Sequence, residues 1–225
     1  EVWAELWRTR LPGMISSTFI LLVAVVGGSI VLGTSLAWLV SAFQFPGRRL
    51  MGWLLVVPLA IPGYVGGFVW LDTLSGVVGA RGVRSLWLCA VVLVLSLYPY
   101  VYLFARAAFA DQGADTLAAA RSLGMGPWGV FFRIALPAAQ PAIAAGAALV
   151  AMETLTDIGT VRLFNVSTLA DGVMRVWFGS GNLGAATELA SALTGAAILL
   201  IAFERLLHRK GRRARGTSEK VMSPR

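Results

Sequence analysis

The sequence predicts an all-α integral membrane protein, a bundle of about five transmembrane helices. Three observations carry this. Of the 225 residues, 57% are hydrophobic and only 13% charged. The apolar residues fall in runs long enough to cross a bilayer, and the basic residues gather on one side of those runs.

Spanning the hydrocarbon core as a helix takes about 20 apolar residues. Five segments meet that length: 16–43, 50–71, 85–108, 138–156 and 186–207. The first carries Gly27, Gly28 and Gly33, which let a neighbouring helix approach closely. In the second, Pro58 and Pro62 remove backbone donors and predict a kinked or broken helix. Ahead of the first span, residues 1–15 place Trp3, Leu6 and Trp7 at helical spacing. That pattern suits a short interfacial segment with its tryptophans at headgroup level.

Orientation follows from charge. If the connection 109–137 is cytoplasmic, thirteen of the nineteen Lys and Arg share its side, among them Arg48, Arg106, Arg133 and the basic tail 208–225. Six fall on the other side: Arg8, Arg10, Arg81, Arg84, Arg162 and Arg175. The tail is therefore expected in the cytoplasm and the segment 157–185 in the periplasm. The same bias accounts for the formal charge of +8 without nucleic acid as a partner. Five spans with an inside tail place the amino terminus outside. No basic n-region or cleavage site precedes the first run, so one further span is expected ahead of Glu1.

The single cysteine, Cys89, lies inside the third run, and the single histidine, His208, lies in the tail. Neither a Cys-based metal site nor a Ser–His pair at membrane depth follows from these residues, despite the Gly-Ser-Gly at 179–181. No catalytic or metal residue is assigned. The chain also lacks the phosphate-binding sequence G-x-x-x-x-G-K-[ST], so no cofactor is expected on it.

The connection contains AAARSLGMGPWGVFFRIALP at 118–137, whose Gly124, Gly126 and Gly129 spell G-x-G-x-x-G. A dinucleotide fingerprint needs a strand before the first glycine and a helix after the last. Here DTLAAARSL favours helix and Pro127 falls inside the loop, so the glycines read as a hinge between two short helices. Asp115 is placed to cap the first helix, which runs through Ala118, Ala119 and Ala120, and Gly124 to end it in a left-handed conformation. Pro127 suits the first turn of the second helix. Along that helix Trp128, Phe131, Phe132 and Ala135 form a face expected to lie against the membrane domain, with Arg133 pointing away. Three central alanines make a smooth cylinder fit to enter a groove on another protein; an ordinary connecting loop is the alternative on physical grounds.

The spacing of this segment resembles the cytoplasmic loop of permease subunits of bacterial ABC importers: Glu-Ala-Ala, three residues, Gly, nine residues, Ile, one residue, Leu-Pro. Ala119, Ala120, Gly124, Ile134, Leu136 and Pro137 match it. Ala118 stands where that family carries glutamate. The stretches 58–71, 98–109, 152–161 and 175–182 are similar to ferric-iron importer permeases, to the first half of a two-half chain. Permeases for thiamine, polyamines and sulfate share the loop. The resemblance implies a type I importer fold in the bacterial inner membrane, with the loop docking on a cytoplasmic ATPase that binds ATP and magnesium. It further implies a periplasmic binding protein that delivers the cargo, and a second permease half. An ATPase-independent secondary transporter is the rival reading.

Glu153 and Asp157, four apart near the end of the fourth span, are expected on one helix face. A carboxylate at the bilayer centre costs roughly 2.5 to 3.5 kcal/mol, so both are expected to face the bundle interior. Two roles stay open for them: lining a translocation path, or pairing with Arg162 or Arg175 to hold a gate. Tyr64, after Pro62 in the broken second span, is a further path candidate.

Overall fold

The computed structural model describes residues 11–78, 84–112, 124–181, 183–195 and 197–198. These residues form helices and connecting turns with no strand among them. The first helix, α1, runs Leu11–Ala42. At 1.5 Å per residue it is about 48 Å long, more than the roughly 30 Å of hydrocarbon it has to cross. α2 (Arg48–Leu54), a 3-10 turn (Val57–Ala60) and α3 (Gly63–Val78) follow. The expected break is sharp: Arg48–Ala60 and Gly63–Gly76 meet at 94°. Pro58 is the second residue of the 3-10 turn, and the Pro62 carbonyl accepts from Val65 N at 2.9 Å, opening α3.

α4 runs Leu86–Asp111, capped by the Ser85 hydroxyl, which accepts from Leu88 N at 3.2 Å. α5 spans Pro127–Thr156. The short α6 (Gly159–Leu163) and α7 (Leu169–Ser180) come next, and residues 183–195 are described as a further helix, α8. By length and composition α1, α4 and α5 are each able to cross a membrane, and the bent α2–α3 pair makes a fourth when taken as one span. Of the expected interfacial segment 1–15, residues 11–15 belong to α1; residues 1–10, the residues Asp115, Ala118, Ala119 and Ala120, the end of the fifth expected span and the tail 208–225 lie outside the described residues.

α4 is the centre of the bundle, with α1 and α5 packed on it. The approach is backbone to backbone. A methyl group at Gly33 of α1 would sit 2.8 Å from the Tyr98 carbonyl oxygen and 2.9 Å from both Tyr102 N and Val101 Cβ. One at Gly146 of α5 would sit 2.9 Å from Val101 Cα and 3.2 Å from the Tyr100 oxygen. Two glycines on different helices thus grip the same turn of α4, where Val101 and Tyr102 are fully buried. Small residues at helix crossings serve this purpose in membranes, where packing rather than water exclusion drives association.

The predicted aromatic face of 127–135 is only half buried. Phe131 and Ala135 are inside, whereas Trp128 and Phe132 are 63% and 60% exposed. The reason is a π-turn at Phe131–Ala135, which widens the helix and moves the buried series to Val130, Phe131, Ala135, Ala139 and Ile143. Pro137 lies just beyond it. A proline ring crowds the carbonyl four residues back, here Arg133 inside the widened turn. Phe131 packs on Trp38 of α1 with ring centroids 5.1 Å apart and on Phe109 of α4 at 6.4 Å, and Trp38 meets Phe109 edge-on at 5.5 Å. Such pairs contribute about 0.5–1.5 kcal/mol each beyond burial.

Gly33→Ala is expected to lower stability by about 1–3 kcal/mol, since the added methyl group meets backbone. Gly27→Ala, with open space around it, should be neutral or stabilising by up to about 1 kcal/mol. Thermal unfolding of the two variants in detergent checks the contrast.

Candidate functional site

The chemistry lies at the two ends of the bundle. At the loop end, Gly124 has φ 82°, the left-handed geometry expected of a hinge glycine, and Gly126 is extended (φ −67°, ψ 163°) ahead of Pro127, the first residue of α5. Ile134 and Leu136 are partly buried against the core. Gln112 Nε2 donates to the Ala135 carbonyl at 3.0 Å, tying the end of α4 to the π-turn. The start of the broken helix is also held to α4. The Gly52 carbonyl accepts from Tyr102 Oη and from Arg106 Nη1, each at 3.3 Å, and the Arg106 guanidinium lies 5.9 Å over the Tyr102 ring. Helix geometry places Tyr102 and Arg106 one turn apart on the same face, so both reach one carbonyl.

At the opposite end the structure corrects the expectation for the two carboxylates. α5 stops at Thr156; Asp157, its C-cap, still donates its N–H to the Glu153 carbonyl at 2.9 Å, but the two carboxylates do not face the bundle interior together. Asp157 instead caps α6. Its Oδ1 accepts from Thr160 N at 2.8 Å and Val161 N at 3.1 Å, and its Oδ2 accepts from Thr160 Oγ1 at 2.9 Å. An aspartate offers the first turn of a helix both acceptors and negative charge. Glu153 is exposed.

Asp157 is nevertheless brought to the break in the second span. A methyl group at Gly63 would lie 3.2 Å from Thr160 Oγ1 and 3.7 Å from Asp157 Oδ2, and one at Gly159 would lie 2.9 Å from Tyr64 Cβ. Tyr64 is 57% exposed and lines an apolar cleft with Val65, Phe68, Gly159 and Leu163. The candidates Pro62, Tyr64 and Asp157 therefore converge where α3 meets α6. Among the described residues, no group of three His, Cys, Asp or Glu side chains converges as a metal site would.

Arg162 and Arg175 pair with neither Glu153 nor Asp157. Both bind Asp171, which is completely buried. Arg162 Nε donates to Asp171 Oδ1 at 2.7 Å, and Arg175 Nε donates to Oδ2. Thr168 caps α7, accepting from Asp171 N at 3.3 Å, and Leu169 N donates to Thr18 Oγ1 of α1 at 3.0 Å. Asp171 is not among the site residues expected from the sequence. Its signal was present: Thr168 and Asp171 stand at capping-box spacing, and Asp171 and Arg175 four apart on one helix face.

Residues 29–210 match the family model described as the binding-protein-dependent transport system inner membrane component. The chain belongs to that family.

Among the family's relatives, the chain is 29% identical over 196 residues to the Fe(3+)-transport system permease protein FbpB 2 of Haemophilus influenzae. That match takes in 87% of this chain and 38% of the relative, so the chain spans well under half of that protein's length. It is 27% identical over 238 residues to the sulfate transport system permease protein CysT of Escherichia coli K12, covering 95% and 84% of the two chains. Its fold is that of a type I ABC importer permease. It is similar to the inward-facing MetNI methionine ABC transporter with a TM-score of 0.75 at 14% identity, over 88% of this chain and 94% of that one.

Asp171→Ala leaves two arginines without their shared partner and is expected to cost about 2 kcal/mol, held down by the half-exposure of both guanidiniums. Asp157→Ala should cost about 1 kcal/mol through the lost cap. Glu153→Gln, at an exposed position, should leave the melting temperature unchanged. Thermal melts of the three variants check this order.

Proposed function

We propose that the chain is a membrane-spanning half of an ABC importer, drawing ferric iron from a periplasmic binding protein and working with a second permease half. The observation that carries this reading is the likeness to the Fe(3+)-transport permease over 87% of the chain, joined to the loop spacing through Ala119, Ala120, Gly124, Ile134, Leu136 and Pro137. In this reading the chain binds no cofactor, and ATP and magnesium sit on a cytoplasmic ATPase. The segment around Asp115, Ala118 and Ala120 docks on that ATPase, and the tail lies on the same side.

Motion of the docking segment then tilts the bundle between inward-facing and outward-facing states. Helices α1, α4 and α5 move as one body, because their contacts at Gly33 and Gly146 are backbone to backbone and do not slide cheaply. The break between α2 and α3 absorbs the change, a few residues at element ends being the usual hinge. Tyr64, Pro62 and Asp157 border the path at that break, with Glu153 one turn before Asp157. A second reading, an oxyanion cargo, draws on the likeness to the sulfate permease and on the paired arginines opposite the loop.

Proteoliposomes of the complete transporter, offered radiolabelled ferric iron on its binding protein from outside, test the reading. ATP-dependent accumulation is expected, and Glu153→Gln combined with Asp157→Asn should reduce it. Ala118→Glu should raise transport per ATP by up to about fivefold, the worth of one exposed ion pair. Accumulation of sulfate in place of iron would move the assignment to the second reading.

A further inference from the structure

The set formed by Arg162, Asp171 and Arg175 presents one chemical face to the outside. Asp171 is fully buried, and each of its oxygens is taken by a different guanidinium Nε. Its negative charge therefore orients the two arginines from beneath, while the side chains of Arg162 and Arg175 remain 44% and 45% exposed. Their Nη groups donate to no other described residue. Two guanidiniums against one carboxylate leave one unit of positive charge, offered as forked N–H donors in a fixed orientation.

Arg175 also lines a cleft with Gly13, Met14, Ser17 and Ser167. The hydroxyls of Ser17 on α1 and Ser167 ahead of α7 have no partner among the described residues, so the cleft carries donors on both walls. The walls are fixed to each other. Leu169 N donates to Thr18 Oγ1, and a methyl group at Gly172 would lie 2.9 Å from Met14 Sδ. A cleft with a held guanidinium, two idle hydroxyls and net positive charge matches the oxygens of a compact anion better than any cation or apolar ligand.

We propose that this cleft binds a small tetrahedral oxyanion of the sulfate or phosphate kind, held by the Nη edge of Arg175 and the hydroxyls of Ser17 and Ser167, with Arg162 adding field from the side. A bound anion bridges α1 to α7 and neutralises the excess charge. The site stands on the geometry of this chain and is independent of the iron cargo proposed above, while the oxyanion cargo of the second reading draws on the same two arginines.

The test is equilibrium dialysis of the purified full chain in detergent against radiolabelled sulfate at constant ionic strength. One saturable site is expected. Arg175→Gln should weaken it by about tenfold or more, the worth of a charge-assisted hydrogen bond. Ser17→Ala with Ser167→Ala keeps both bonds to Asp171 and should weaken it by about fivefold. Arg133→Gln, at the loop end, should leave it unchanged, and circular dichroism melts verify that each variant is folded. Absence of saturable binding to the wild type, or equal binding by the folded cleft variants, overturns the proposal. Either result leaves the importer reading standing, since that is tested by iron accumulation.

Discussion

The arrangement depends on one turn of α4. Residues Tyr98–Tyr102 are gripped from one side by Gly33 of α1 and from the other by Gly146 of α5, each so close that a single methyl group would strike backbone. In lipid the hydrophobic effect does not favour one helix contact over another, and close van der Waals contact between small residues has to supply the specificity. Pro99 sits inside that turn and takes away one backbone donor. The neighbouring glycine contacts surround the weakened place with packed atoms.

Both functional ends take their position from this grip. Toward the loop, α4 continues to Tyr102, Arg106, Phe109 and Gln112, which respectively bind the Gly52 carbonyl, lie over Tyr102, pack on Trp38 and Phe131, and hold the Ala135 carbonyl. The segment that follows Gly124 is thereby fastened to the same helix that the glycines grip. Toward the opposite end, α1 reaches Met14 and Thr18, where α7 docks, and α5 reaches Asp157, which caps α6 beside the break in the second span. Contacts of α3 are of another kind. A methyl group at Gly66 would be 3.8 Å from Ser96 Oγ, and at Gly67 the near atoms are ends of Leu163, Phe164 and Thr160 side chains. Side-chain ends yield more easily than backbone, which makes α3 the element free to shift against a fixed pillar.

Much of this is legible in the sequence, for identifiable reasons. Hydropathy marks the long helices because about 20 apolar residues have few other uses, and Pro58 and Pro62 mark the break because proline lacks a donor. Gly124 is legible as a left-handed turn. The burial of 127–135 is misread because periodicity assumes 3.6 residues per turn, while a π-turn precedes Pro137. Glu153 and Asp157, expected to face the interior together, part because Asp157 ends α5 and gives its carboxylate to the first N–H groups of α6 while Glu153 stays exposed, and spacing alone does not say where a helix stops. Asp171 escapes notice among the polar residues of 157–185, although its spacing to Thr168 and Arg175 is a helix-start signature. Which helices meet at Gly33 and Gly146 is not legible at all, since glycines on long apolar runs are common and the partner turn has no mark of its own.

In the proposed transport cycle α1 and α4 form one rigid body while α3 moves against it. Pulsed electron resonance on the complete transporter measures this directly, with spin labels at the exposed positions Phe19 on α1, Trp87 on α4 and Phe68 on α3. The Phe19–Trp87 distance distribution is expected to be the same with and without ATP, and the Phe68–Trp87 distribution to shift. A shift between Phe19 and Trp87 with Phe68–Trp87 unchanged would contradict this.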